Sequence, residues 1–93
     1  MRTIRRTARF KKDYKRESKG RHRRYLDDAL LKVVKSIAAD EPLAARFLDH
    51  PLSGEWSDHR DCHIRPDLVL IYRLPDTETL ELVRLGSHSE LSL

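Results

Sequence analysis

The sequence predicts an α+β fold, with two N-terminal helices packed on one face of a small, mainly antiparallel four-stranded sheet in the order β-α-α-β-β-β. Three observations predict it. Before Asp40, apolar residues recur at three- and four-residue steps (Leu26, Leu30, Val33, Ile37), the stripe of a helix. After it, residues 68–74 (LVLIYRL) form a continuous apolar run suited to a central, mostly buried strand. The turn residues Pro75-Asp76-Thr77-Glu78 separate that run from a returning segment, Leu80 to Leu85. At 93 residues the chain has room for one domain, 1–93, and one modest core.

Each element has its own local reason. Arg2 to Arg6, with Ile4 at its centre, reads as a short first strand. Thr7 is placed to cap a helix whose Phe10 and Tyr14 share one face, and Gly20 ends it. The second helix spans Arg21 to Ala39, with Ala29 and Val34 widening its stripe. Asp40-Glu41-Pro42 stops it, because the residue before a proline leaves the helical region. Leu43 to Ser57 is irregular, punctuated by Pro51 and Gly54. Strands are expected at Asp61–Ile64, Leu68–Leu74 and Leu80–Leu85, with Glu81 facing outward. Ser87 and Glu90 have capping-box spacing, so a short helical turn begins there. No element is predicted to cover the sheet face away from the helices, which leaves it open to a ligand as large as RNA.

Charge narrows the function classes. Residues 1–24 hold 12 Lys and Arg against Asp13 and Glu17, whereas the rest hold 7 against 13 Asp and Glu. Such a basic block favours polyanions, since neutralising phosphates releases counterions; its plainer reading is a solvated helix face. The single cysteine, Cys62, permits no internal disulfide and fits a reducing compartment. The chain has no apolar stretch near the ~20 residues of a membrane span and no apolar secretory segment. A cytoplasmic protein with no membrane partner is expected. The chain is too small for a cofactor domain beside a substrate domain.

Four of the five histidines fall between His50 and His88, and His22, among arginines, reads as surface. Pro66 has a fixed φ and restricts Arg65, so a tight hairpin is expected to bring His63 and Asp67 together. Asp67 is otherwise an ordinary turn residue. His88 follows Gly86-Ser87 at a helix start, and Gly86 permits close backbone approach. RNA carries its own nucleophile, the 2′-hydroxyl. A cutting protein then needs a base, an acid and positive charge, and imidazoles fill the first two roles near neutral pH. His59, Cys62, His63 and Asp67 form a rival metal set, but an extended segment points Cys62 away from His63, and the spacing fits no paired-ligand zinc pattern. Trp56 and Tyr72 are the nearby aromatics that can stack on a base, but Trp56 reads first as a hydrophobic plug under the loop and Tyr72 as part of the central strand.

The stretch from Asp49 to Leu74, with Arg84 to Leu91, resembles the YafQ branch of the RelE/ParE toxin superfamily. The combination D-H-P-L-x-G-x-W, R-D-x-H-x-x-P-D, L-I-Y-R-L and R-x-G-S-H carries the resemblance. Identity is weak before Asp49, although the helix order also fits a RelE-like fold. The resemblance implies a type II toxin–antitoxin toxin that cleaves mRNA in the ribosomal A site with no metal or other cofactor. It implies His50, His63, Asp67 and His88 as catalytic residues, with His88 the general acid. It implies Arg84, Arg60 and Trp56 as substrate-binding residues. Its implied partners are a cognate antitoxin, in a heterotetramer or similar assembly, and the 70S ribosome and mRNA, met through the basic N-terminal helices. Ser92 stands where the family carries a phenylalanine, and Leu68 where a close relative has tryptophan, so base stacking should differ. The competing expectations are a non-catalytic RNA-binding module and a gyrase-directed, ParE-like toxin.

Overall fold

The computed structural model describes residues 1–93. Its elements are β1 (Thr3–Arg6), α1 (Ala8–Glu17), α2 (Leu26–Ala38), β2 (His50–Pro51), β3 (His59–Arg65), β4 (Leu68–Asp76), β5 (Thr79–Gly86) and α3 (His88–Leu91). Two 3₁₀ turns, Ala45–Phe47 and Gly54–Trp56, lie in the irregular stretch.

The fold is α+β, but the expected architecture needs correction. The sheet has five strands, ordered β1-β5-β4-β3-β2, and it is mixed. β1 runs parallel to β5, while β2/β3, β3/β4 and β4/β5 are antiparallel. There are three helices, because α3 completes the turn that Ser87 and Glu90 begin. The fifth strand, β2, is two residues long and contains Pro51, which cannot donate to a ladder and suits an edge.

The second helix starts five residues later than its pattern suggests. Residues 21–24 are Arg, His, Arg, Arg, a run of cations that opposes the positive end of a helix dipole. The helix begins instead where Asp27 and Asp28 occupy its first turn. α1 is capped as expected, Phe10 N–H donating to Thr7 Oγ1 at 3.0 Å. The β4–β5 turn is tighter than expected, since pairing continues to Asp76 and Thr79 and Asp76 accepts from Glu78 N–H.

β4 is buried on both faces, as its unbroken apolar run demands. On one face, Cys62, Ile64, Leu68, Leu70, Tyr72, Leu80, Leu82 and Leu85 pack against Phe10 of α1 and Leu26, Leu30, Val33, Val34, Ile37 and Ala38 of α2. The other face is not bare, contrary to expectation. Val69 and Ile71 are covered by Leu91 of α3, with Leu52, Trp56 and Val83 packed around them. No helix is long and apolar enough to cross a membrane.

Candidate active site

The thinly covered face carries the chemistry. Strand alternation places Asp61 and His63 on it together, two residues apart on β3. β2 places His50 opposite Asp61 in register. α3 places His88 just past the end of β5. Its position depends on the capping box, in which Ser87 Oγ accepts from Glu90 N–H and the Glu90 carboxylate accepts from Ser87 N–H. A side chain at the preceding Gly86 would displace the ends of two neighbouring side chains. A Cβ there would sit 2.8 Å from the Arg16 guanidinium and 3.2 Å from the Glu90 carboxylate.

These elements bring three of the four expected residues together. The rings of His63 and His88 lie 4.9 Å apart between centroids. His50 Nε2 is 3.1 Å from Oδ1 of Asp61, a carboxylate only 2% exposed. The contact is close but off-line, so that oxygen has no well-aligned hydrogen bond. Burial pushes the Asp61 carboxyl above its ordinary value, while His50, His63 and His88 pull it back. Asp61 is the residue that sequence reasoning missed. Its signal was the two-residue spacing to His63 in a strand, which puts both on one face.

The backbone assigns tautomers. His63 Nδ1 lies 3.3 Å from the Pro66 carbonyl, and His50 Nδ1 lies 3.2 Å from the Pro51 carbonyl. A carbonyl only accepts, so both Nδ1 atoms carry protons. In a neutral His63, Nε2 is then free to take a proton. The His50–Asp61 contact sets the His50 imidazole 3.1 Å from the buried carboxylate.

The fourth expected residue has other partners. The hairpin at Pro66 forms, but the Asp67 carboxylate pairs with Arg21 and lies 3.2 Å from His22 Nε2. It ties the β3–β4 turn to the segment before α2. His22, read as surface, has a side chain only 12% exposed in that contact.

The substrate-binding candidates are also engaged. Arg84 donates to Asp13 at 2.7 and 3.2 Å. Asp13 further accepts from Arg16 and from Leu85 N–H. Burial raises the Asp13 carboxyl, but the Arg84 and Leu85 hydrogen bonds outweigh it and hold the group below its ordinary value. Arg60 pairs with Asp49, to which Tyr72 also donates, on the helix side of the sheet. Trp56 packs its ring edge-on to His59 at 5.3 Å and plugs the small core. No group of three or more His, Cys, Asp or Glu side chains is arranged to hold a metal ion. Cys62 faces the helices, and burial pushes its thiol up to about 12.

A small α+β domain with imidazoles converging at one sheet end and a basic helical flank has the parts for acid–base chemistry on a polyanion. Residues 2–93 match the family described as "Bacterial toxin of type II toxin-antitoxin system, YafQ", and the chain belongs to that family. The mRNA interferase toxin YafQ of Escherichia coli is 36% identical over 90 residues, covering 95% of this chain and 97% of that protein. A copper-bound mutant toxin from Helicobacter pylori superposes with a TM-score of 0.85 at 36% identity, over 98% of this chain and 99% of that one. The E. coli DinJ–YafQ complex contains a chain that superposes with a TM-score of 0.78 at 32% identity, over 98% of each chain.

Proposed function

We propose that the chain is an endoribonuclease of the mRNA interferase class, cutting message on the ribosome by acid–base catalysis that uses the RNA 2′-hydroxyl. The observation that carries this reading is the convergence of His50, His63 and His88 around the buried carboxylate of Asp61. His63, with Nδ1 committed to the Pro66 carbonyl, has Nε2 available to take the 2′-hydroxyl proton. His88 protonates the leaving 5′-oxygen. The His50–Asp61 pair borders the same site and completes the cluster around the phosphate. Asp67 supports the site at one remove, by anchoring the turn that carries the Pro66 carbonyl. Nothing in this scheme calls for a metal, because RNA supplies the nucleophile and the imidazoles supply the proton transfers.

The basic flank gives the reaction its setting. Arg9, Lys11, Lys12, Lys15 and Lys19 are exposed along and just after α1, suited to ribosomal RNA. By its family, the chain is held inactive by a cognate antitoxin, as the E. coli relative is complexed with DinJ. The test is incubation with translating ribosomes and message in the presence of a chelator. Cut message is expected from the wild type and none from a His50→Ala, His88→Ala double variant. Intact message with the wild type, or full cutting by the double variant, overturns the proposal.

A further inference from the structure

A groove beside His63 is not explained by the imidazole cluster. β2 pairs with β3 only at Asp61 and Arg60, so His63 to Arg65 form a free outer edge. Between that edge, α2 and the Ala45–Phe47 turn opens a groove of about 770 Å³, with His63 in its wall. That size lies within the ~300–1,000 Å³ range of sites that accept a ligand. Lys32, Arg46 and Arg65 line it, against Asp28 as the one acid. None of these three cations has a carboxylate within ion-pair distance.

Two aromatic rings complete the wall, each carrying a guanidinium. Arg65 sits 5.1 Å over the Tyr25 ring, and Arg46 sits 4.8 Å over the Phe47 ring. Tyr25 is 53% exposed. A planar guanidinium stacked on a ring still offers an outer face to a base and in-plane N–H donors to a phosphate. Unpaired cations beside exposed aromatic faces match the two parts of a single-stranded nucleotide. His63 lies in both walls, so the groove reaches the β3 edge whose other face carries the histidine cluster.

We propose that this groove binds a nucleotide flanking the scissile bond, where the strand passes round the free β3 edge, its base on the Arg65–Tyr25 stack and its phosphate against Arg46 and Lys32. The inference rests on the reading of the histidine cluster as an RNA-cutting site.

The test compares wild type, Tyr25→Ala and Tyr25→Phe on message-loaded ribosomes. Tyr25→Ala should raise the half-saturating message concentration roughly 5- to 150-fold, the loss of one base stack. Its maximal rate should stay within about threefold, as expected when uniform binding is lost. Tyr25→Phe should restore affinity, and thermal melts of all three should coincide. A second arm measures binding of a short oligoribonucleotide, of vacant ribosomes and of the cognate antitoxin in a His88→Ala background, with and without Tyr25→Ala. Weakened oligoribonucleotide binding, with ribosome and antitoxin binding unchanged, supports the groove. Equal weakening on vacant ribosomes assigns it to ribosomal RNA, and weakening toward the antitoxin alone assigns it to a protein segment; either overturns the proposal. Unchanged affinity in every arm overturns it while wild-type cutting leaves the catalytic reading standing. If the wild type cuts nothing but Tyr25-dependent RNA binding persists, the catalytic reading fails and the groove survives as an RNA site.

Discussion

Asp13 offers the sharpest test of how this molecule is held together. Its side chain is 5% exposed, yet it lies on α1 among lysines and arginines. Four donors converge on it, namely two nitrogens of Arg84, one of Arg16, and Leu85 N–H. Asp13→Asn removes the charge and turns an amide N–H₂ toward some of these donors, leaving the 13%-exposed Arg84 without a counter-ion. Breaking a buried pair from one side costs about 3–5 kcal/mol, because a buried charge is stranded. Against a total stability of roughly 5–15 kcal/mol that is a large fraction. For a chain of this size the fall in Tm should be roughly 12–40 °C. Urea and thermal melts followed by circular dichroism measure it. The double variant Asp13→Leu, Arg84→Met removes both charges and should recover part of the loss, since apolar replacement of a buried pair is often close to neutral while the buried Leu85 N–H loses its acceptor. A loss under about 1 kcal/mol for Asp13→Asn, the range of an exposed pair, would refute the reasoning. The pH dependence has a fixed sign. The folded carboxyl is held below its ordinary 3.8, so its contribution is complete above that value and is lost as pH falls through the lower folded value. The double variant also bears on function. If Arg84 acts through packing, RNA cutting survives in it; if Arg84 touches phosphate, cutting is lost although the fold returns.

Three further outcomes are expected. Asp61→Asn should lower the cutting rate on the order of 10²-fold, the scale of one positioned acid–base group. The same change should raise Tm more at pH 8 than at pH 4. The buried carboxyl titrates above its ordinary 3.8, so ionising it destabilises the fold as pH rises past that value; an equal Tm change at both pH values would count against this. Ser87→Ala should cost about 1 kcal/mol through the lost cap and roughly 4–8 °C in Tm. It should also reduce cutting, because His88 begins the capped helix, and full activity in a destabilised variant would separate the two. Cys62, fully buried with its thiol pushed up to about 12, should resist iodoacetamide at pH 8 until the protein unfolds. Rapid labelling of the folded chain would contradict the burial.

Much of this fold was legible because its strongest elements announce themselves locally. Residues 68–74 read as a central strand since both faces of β4 are buried. Leu30, Val33 and Ile37 read as one helix face since that face meets the sheet. Ser87 and Glu90 read as a cap because both halves of the box lie within four residues. What escaped was nonlocal. β1 pairs with a strand more than 70 residues away, and nothing in T-I-R-R states that the pairing is parallel. β2 is two residues with a proline, below the length at which alternation can be seen. The site was partly legible for the same reasons. His63 and Pro66 are near in sequence, so the hairpin followed. The partner of Asp67 sits 46 residues earlier, at Arg21, and could not be inferred from the turn. Asp13, in K-K-D-Y-K-R, looks like a solvated acid and becomes buried only when β5 packs on α1.

The two faces of the sheet divide the work unequally, and this explains where the chemistry sits. The helix side joins 15 buried residues in one cluster, whereas the other side joins three. A carboxylate buried at Asp61 without an aligned partner is costly anywhere. Placed in the large core, it would interrupt the contacts that hold α1 and α2 to the sheet. Placed at the edge of the small cluster, it displaces little and sits beside half-exposed imidazoles that can share its proton. The large core thus supplies the stability that this arrangement draws on, and Leu91 keeps α3 and His88 over it with one apolar contact. A site assembled on the strong face would have no room for an RNA strand. A site on an entirely bare face, as the sequence suggested, would have had no α3 to position His88.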